Sequence, residues 1–490
     1  MRNVVLICLD TVRQDYFAEY ATRLGSRADV VFSECRAASS WSAPSHASMF
    51  TGTLPERHGV HTYNRDFSGL SRADTFLGDL PDHHAVGTSA NVWAGSSFGF
   101  DGLFDDFSDV SPDQRFPGGI DVARFGQECE REGVGKQLAF LRAALDHDRP
   151  LRSLANGAYV QLEQLSERAP LPKLVDDGAS ILAREALRQV EAGTEPFALF
   201  VNFMDAHGPL HHVRGYDRDL HDAPNAWTSG DVTWTEAVAR GDEALLERYR
   251  NLYAAAIDYL DRVVCEFVDD LQAATARETT VVVTSDHGDN LGTAADRGLW
   301  GHTESALTEG LLHVPCVVLN APDGADRDRN RTRDEERDRN RDLDQDLEAT
   351  VIDERFSHLA LRELLVGYAT GDRSERALVG DPVLAERAGH SGKQHGEADR
   401  DPGTNRVVRA VYEGDRKAVY GADGEATAYR LDPERPCWQT AVEEAVDVDR
   451  LDRLFDEPID VFAGRVRADG DDADEMDQAT RDRLAQLGYL

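Results

Sequence analysis

An α/β fold with a large, mostly parallel sheet and a smaller C-terminal α+β part is what this sequence predicts. Three observations carry it. The runs NVVLICL (3–9), FALFVNFM (197–204) and TTVVVT (279–284) each stop at or beside an aspartate: Asp10, Asp205 and Asp286. Continuous apolar runs of this length read as strands buried on both faces, and α/β enzymes place chemistry at the carboxyl ends of such strands. Residues 249–271 carry apolar side chains three and four apart, from Leu252 and Ala255 to Val268 and Leu271, which reads as an amphipathic helix. After about residue 371 the pattern shortens to β-like runs at 407–412, 416–420 and 426–431, with helices expected from Glu443. The expected division is therefore 1–370 and 371–490.

Taken in order, Asp10 reads either as a turn residue before a helix near Arg13 or as a carboxylate at the sheet edge. Residues 37–61 (AASSWSAPSHASMFTGTLPERHGVH) are dense in small hydroxyl residues. They show no apolar period before Ser48-Met49-Phe50-Thr51-Gly52, which reads as a short helix stopped by glycine. A hydroxyl at a helix N-terminus is placed to attack an electrophile, and the N–H groups there stabilise negative charge. Ser42 and Ser45 read equally as N-caps. Asn64 sits in a loop, where a turn role is usual. Residues 126–188 read as surface helices and loops without a motif. Asp205-Ala206-His207-Gly208-Pro209 and Ser285-Asp286-His287-Gly288-Asp289 place Asp and His just past strand ends, and Trp300-Gly301-His302 follows. Residues 323–346 are almost all charged and cannot form a core; they read as a solvated loop or a charged single helix. A helix is expected again over 356–367.

The net charge of -37 is extreme, and the lysines are Lys136, Lys173, Lys393 and Lys417. An acidic, lysine-poor surface reads as built for high salt, where its self-repulsion is screened. No basic stripe is present, which argues against nucleic acid as a partner. The cysteines are scattered without CxxC spacing; Cys8 and Cys316 lie in strand-like runs and are expected as buried thiols. Residues 4–9 are too short for a signal-peptide core, and no stretch is apolar enough to span a membrane. A cytoplasmic protein is expected.

Ser42-Ala43-Pro44-Ser45-His46, followed by Thr51-Gly52, Pro55 and His58-Gly59, resembles the signature of the sulfatase family of the alkaline phosphatase superfamily. That pattern is Cys or Ser, any residue, Pro, Ser, Arg, then Thr-Gly. Further segments follow in family order: LICLDTVRQDYF, residues 84–93, Phe98-Gly99-Phe100, Asp286-His287-Gly288, Trp300-Gly301-His302, Tyr429-Arg430-Leu431-Asp432-Pro433 and the closing residues 484–490. Asp10-Thr11 stands where many sulfatases have two Asp and is shared with phosphonate and phosphodiester hydrolases. The resemblance implies an alkaline-phosphatase-like sheet sandwiched by helices. It implies one divalent metal on Asp10, Ser42, Asp286 and His287, calcium by family default. Because His287 replaces the family's Asn, manganese or zinc is the alternative. A second metal on Asp205, His207 and His302 is the runner-up arrangement. Ser42 takes the nucleophile position, His46, His207 and His302 are further catalytic candidates, and Asn64 and Asn91 are substrate-contacting candidates. His46 departs from the family's Arg, while Asn91 and Thr303 stand near its two lysine positions. The implied activity is hydrolysis of a sulfate or phosphate ester, of a small molecule or a glycan, through a covalent ester on Ser42. Phosphodiester or phosphonate hydrolysis, or phospho-group transfer, by unmodified Ser42 is the alternative; a non-catalytic binding protein on the same scaffold is the third reading.

Deleting residues 323–346 should leave turnover within a few-fold, since their composition buries no apolar surface. A steady-state assay showing collapse of activity in a deletion variant that still folds would contradict this.

Overall fold

A computed structural model describes residues 1–110, 115–116, 118–122, 125–126, 129, 131, 133–167, 171–322, 349–371, 375–389, 406–471 and 481. The charged segment 323–346 and the closing residues 484–490 lie outside this set. The main sheet has eight strands: β1 (Asn3–Leu9), β2 (Val30–Phe32), β3 (His84–Ser89), β4 (Asp106–Asp109), β5 (Phe197–Phe203), β6 (Thr279–Thr284), β7 (Cys316–Leu319) and β8 (Thr350–Ile352). Their spatial order is β8-β2-β7-β6-β1-β5-β3-β4. Only β7 runs against its neighbours, so the sheet is mixed and mostly parallel as expected. β1 lies at the centre, with Cys8 opposite Asn202 on one side and Thr284 on the other. This register sets Asp10 and Asp286 at one level, each two residues beyond the Cys8–Thr284 pair.

The central strands β1, β5 and β6 are buried throughout because both faces are covered, whereas the edge strand β4 (DFSD) is partly exposed. Val4, Leu6 and Cys8 point into one core, shared with Ala43, Ala47, Met49 and Phe50 of helix Ser42–Thr51 and with helix Leu361–Thr370. Val5, Ile7 and Leu9 point into the other, packed by helices Ala179–Ala192 and Glu243–Ala274. Each fully buried aliphatic side chain contributes about 1.5–3 kcal/mol. The helix expected over 48–52 instead starts at Ser42 and runs to Thr51, where Gly52 ends it in the left-handed conformation (φ 70°). All ten of its residues are buried, so no apolar stripe marks its first turns. Over 356–367 the chain first pairs Phe356–Ser357 with Cys35–Arg36, and the helix begins at Leu361.

The C-terminal part is an antiparallel meander of β9 (Val383–Ala388), β10 (Val407–Glu413), β11 (Arg416–Gly421), β12 (Ala426–Leu431) and β13 (Gln439–Val442). β13 was not foreseen; helices follow only from Val448. One face of the meander joins the main core through Val383, Ala385, Val408, Ala410 and Tyr412. The other is covered by Leu451, Phe455 and Phe462.

Two buried ion clusters tie this sheet to the first part of the chain. Glu309 pairs with Arg36 (3.0 Å) and Lys417 (2.8 Å) and accepts from the Tyr412 hydroxyl (2.6 Å). The two cations hold its carboxyl well below the usual range despite burial. Arg409 reaches Glu386 (2.8 Å), Glu56 (2.7 Å) and Asp452 (2.6 Å). Glu56 lies in the short helix Pro55–His58, just past the Ser42 helix. Arg409→Met should lower unfolding free energy by about 3–5 kcal/mol, because it strands buried carboxylates without their cation. Urea unfolding measures this, and adding Glu386→Gln to the same variant should recover part of the loss.

Candidate active site

β1 delivers Asp10, and the chain then turns through Thr11 at φ 62°. A β-branched residue in the left-handed region is strained, so neighbours must hold it there. The Tyr253 hydroxyl, from helix Glu243–Ala274, donates to Thr11 O (2.7 Å) and accepts from Arg13 N (3.1 Å). Thr11 N donates in turn to Asp286 Oδ1 (3.3 Å), which also accepts from His287 N (2.9 Å). Past His287, Gly288 has no substitute: a Cβ there would stand 2.1 Å from Gly310 O.

Asp10 and Asp286 are fully buried side by side. Each has one oxygen held by protein donors. Asp10 Oδ2 accepts from Asn91 Nδ2 (2.6 Å), and Asp286 Oδ1 is used as above. The other oxygens, Asp10 Oδ1 and Asp286 Oδ2, are buried and accept no hydrogen bond. Burial first, and then the charge of Asp286, push the Asp10 carboxyl far up, against the pull of Asn91. Burial likewise raises Asp286, partly offset by His46. Two carboxyls in this state cannot both ionise unless a cation is supplied.

His287 completes the set. Its Nδ1–H donates to Gly288 O (2.7 Å), which leaves the Nε2 lone pair facing Asp286 Oδ2 and Ser42 Oγ, each at 3.4 Å. One oxygen from each of Asp10 and Asp286 and one nitrogen from His287 lie within 4.8 Å of one another. Two unsatisfied carboxylate oxygens plus an imidazole fit a divalent metal, with Ser42 Oγ at the edge of the same set. Cys8, His46 and Asp286 also converge, but both nitrogens of His46 are already used.

Ser42 is the first residue of its helix, behind Trp41, and neither it nor Ser45 acts as the N-cap. Its hydroxyl therefore stands where the helix N–H groups are unsatisfied and favour negative charge. His46, one turn on, donates Nδ1–H to Ser42 O (2.8 Å) and accepts at Nε2 from Asn202 Nδ2 (3.1 Å). Burial keeps this ring neutral. The Phe100 and Phe200 rings lie edge-on to it, 6.1 and 5.7 Å away, so the Phe98-Gly99-Phe100 loop does pack beneath the site. His46 supports the Ser42 turn from below.

His302 lies 4.6 Å from His287 and 5.1 Å from His207, centroid to centroid. Its Nδ1–H donates to Asp289 Oδ1 (3.1 Å), so proton movement by this ring runs through Nε2. His207 donates Nδ1–H to Gly208 O. Burial pushes both rings down to about 3. Asp205 does not join them: its Oδ1 accepts from Asp177 N (2.9 Å), in a group with Asp176 and Arg115. The structure thus does not assemble the runner-up second metal set. Asn64 is also elsewhere, exposed in a turn where its Nδ2 donates to Gly59 O (2.9 Å). Asn91 is central, but its amide is spent on Asp10 and on Trp93 N (2.8 Å).

Against known proteins, a family model described as Sulfatase matches residues 2–351. The chain belongs to the sulfatase family. It is a sulfatase-like ester hydrolase. Its fold is similar to that of a phosphonate monoester hydrolase of Agrobacterium radiobacter (16% identity, 96% of each chain covered, TM-score 0.56). It is also similar to one from Silicibacter pomeroyi (14% identity, 95% of this chain and 96% of that one, TM-score 0.55). A third likeness is to BT1596, a 2-O GAG sulfatase (14% identity, 98% and 96%, TM-score 0.54). No curated protein matches it in sequence.

Sequence reading missed Asn202, Asp289, Tyr253's hydroxyl and Arg387 as parts of the site. A polar residue within FALFVNFM was a visible signal for Asn202, and Asp289 stood inside a quoted motif. Nothing in the sequence marked Arg387.

Asp10→Asn and Asp286→Asn should each cut bound divalent metal from about one equivalent to a trace by elemental analysis, since a lost carboxylate weakens the whole set. Restoring metal to chelator-stripped wild type should raise its unfolding free energy by about 2.7 kcal/mol at a hundredfold excess over Kd. Unchanged metal content in both variants would overturn the assignment.

Proposed function

We propose that this chain hydrolyses phospho-esters, phosphodiesters or phosphonates, in preference to sulfate esters, through a covalent ester on unmodified Ser42. One observation carries the reaction: Ser42 Oγ stands 3.4 Å from His287 Nε2, at the helix N-terminus and beside two buried carboxylates with orphaned oxygens. Asp10, Asp286, His287 and Ser42 Oγ would hold the divalent metal, which when bound neutralises developing oxyanion charge and favours the serine alkoxide. With imidazole among the donors, manganese or zinc competes with calcium.

The residues supply the rest. Ser42 Oγ gives up its proton, relayed to Nε2 of the neutral His302, and bonds to phosphorus while the bond to the leaving oxygen breaks. His302, now protonated at Nε2 while its Nδ1–H stays on Asp289, passes that proton to the leaving oxygen. Water then attacks the Ser42 ester, the Oγ–P bond breaks, and the serine hydroxyl is restored. His207 borders the same space and is read as a contact to the leaving group.

The phospho preference rests on what surrounds Ser42. His46 fills the family's Arg position and is neutral, buried and engaged on both nitrogens. Asn91, near one lysine position, is committed to Asp10, and Thr303, near the other, carries no charge. The acidic, lysine-poor composition supports assay at high salt.

A panel of 4-nitrophenyl sulfate, phosphate, phosphodiester and phosphonate esters should show higher kcat/KM for the phospho-substrates. Ser42→Ala should lose activity by at least about a thousandfold, as removal of a covalent nucleophile does. Intact mass should show no loss of about two mass units, the signature of serine oxidised to formylglycine. That loss at Ser42, or turnover of sulfate esters alone, would restore the plain sulfatase reading.

A further inference from the structure

Arg387 belongs to β9, the edge strand of the C-terminal meander, yet its side chain is fully buried in the active-site wall. Nη1 donates to Ser40 O (2.9 Å), Ser40 Oγ (3.1 Å) and His302 O (2.9 Å). Nη2 donates to Thr303 O (2.7 Å) and Nε to Gly389 O (3.1 Å). The guanidinium thus holds both the loop two residues before the nucleophile and the loop that carries the imidazole paired with Asp289.

We propose that Arg387 is a positioning residue for the reaction: it clamps the loop that presents Ser42 to the loop that presents His302. This rests on the reading that Ser42 and His302 serve catalysis.

Four features support the clamp. The same loop lies along the outer edge of β9, where Glu386 N donates to Ala38 O (2.9 Å) and Ser39 Oγ to Glu386 O (2.8 Å). The two loops also meet where Ser40 Oγ donates to Ala306 O (2.8 Å), and Arg387 adds donors to both. A planar fork with fixed donor directions can satisfy four acceptors on two loops at once, which an ammonium on a flexible stem cannot. Burial also holds the guanidinium down to about 9, a cost that a purely structural apolar contact at this position would avoid.

The clamp predicts a kcat effect. Displacing a reacting group by about 1 Å is enough to cost a hundredfold in rate. Full-length Arg387→Lys and Arg387→Ala are compared with wild type on the best 4-nitrophenyl ester of the panel. Both should lose kcat by about ten- to a hundredfold with KM little changed. Guanidinium at millimolar concentration should restore part of the Arg387→Ala rate and leave wild type unaffected. Hydrogen exchange should quicken in peptides 37–47 and 300–306 and not in the main sheet. Wild-type kcat in Arg387→Lys overturns the proposal. So does a rate loss without guanidinium rescue and with exchange raised across the whole chain, which marks a stability role. If Arg387→Ala fails to fold, Arg387→Lys, which keeps charge and most of the volume, decides. Failure of the Ser42 reading shows instead as an active Ser42→Ala, whereas the exchange measurement reports the clamp without reference to turnover.

Discussion

Two like charges forced together in a dry place are the constraint around which this protein is built. Asp10 and Asp286 leave adjacent parallel strands at the same level, and the register of β1 against β6 gives them no way apart. Each uses one oxygen on protein donors and keeps the other unsatisfied. Such a pair costs several kcal/mol to bury and is tolerable only with a positive partner. The surrounding structure prepares that partner's place. A strained Thr11 is pinned by Tyr253, Gly288 lets two backbones touch, and the His287 tautomer is set by a carbonyl.

The same economy applies to Ser42. Ser42 is reached by a helix that begins inside the core and is buried on all sides. Its first turn depends on His46 one turn on in the same helix and on side chains from elsewhere, Asn202 on β5 behind that ring and Arg387 from the C-terminal sheet. The C-terminal meander is therefore part of the active-site wall, held there by Arg409 and Glu309 through ion pairs shielded from water. Buried pairs of this kind add little net stability over apolar packing, but they are costly to break and specify one docking arrangement.

The family's fold was legible because its strands are continuous apolar runs and each ends in a polar residue that cannot be part of the run. Asp10, Asp286 and His287 could be singled out on that ground alone, since a strand end in such a sheet is where chemistry collects. The start of the Ser42 helix was legible only from its hydroxyl residues Ser42 and Ser45 as cap candidates, and not from periodicity. A helix buried all round has no polar face, so periodicity finds only its last turn. Asn64 and Asp205 show the same gap from the other side: both sit beside motif residues in the chain, but local turns send their side chains to other partners.

By itself, the sequence determined the central strands and the family, and through the family resemblance it marked Ser42, Asp10, Asp286 and His287 as candidates, because these depend on residue type and on short-range spacing. Tertiary structure decided which candidates meet. It set Asn91 on Asp10, closed both nitrogens of His46, left Asp205 with Asp176 and Asp177, and brought Arg387 to Ser40 and His302. Those outcomes depend on strand register and on contacts between residues hundreds of positions apart, and hydrogen-bond donors and acceptors carry no mark in the sequence of the partner they will find.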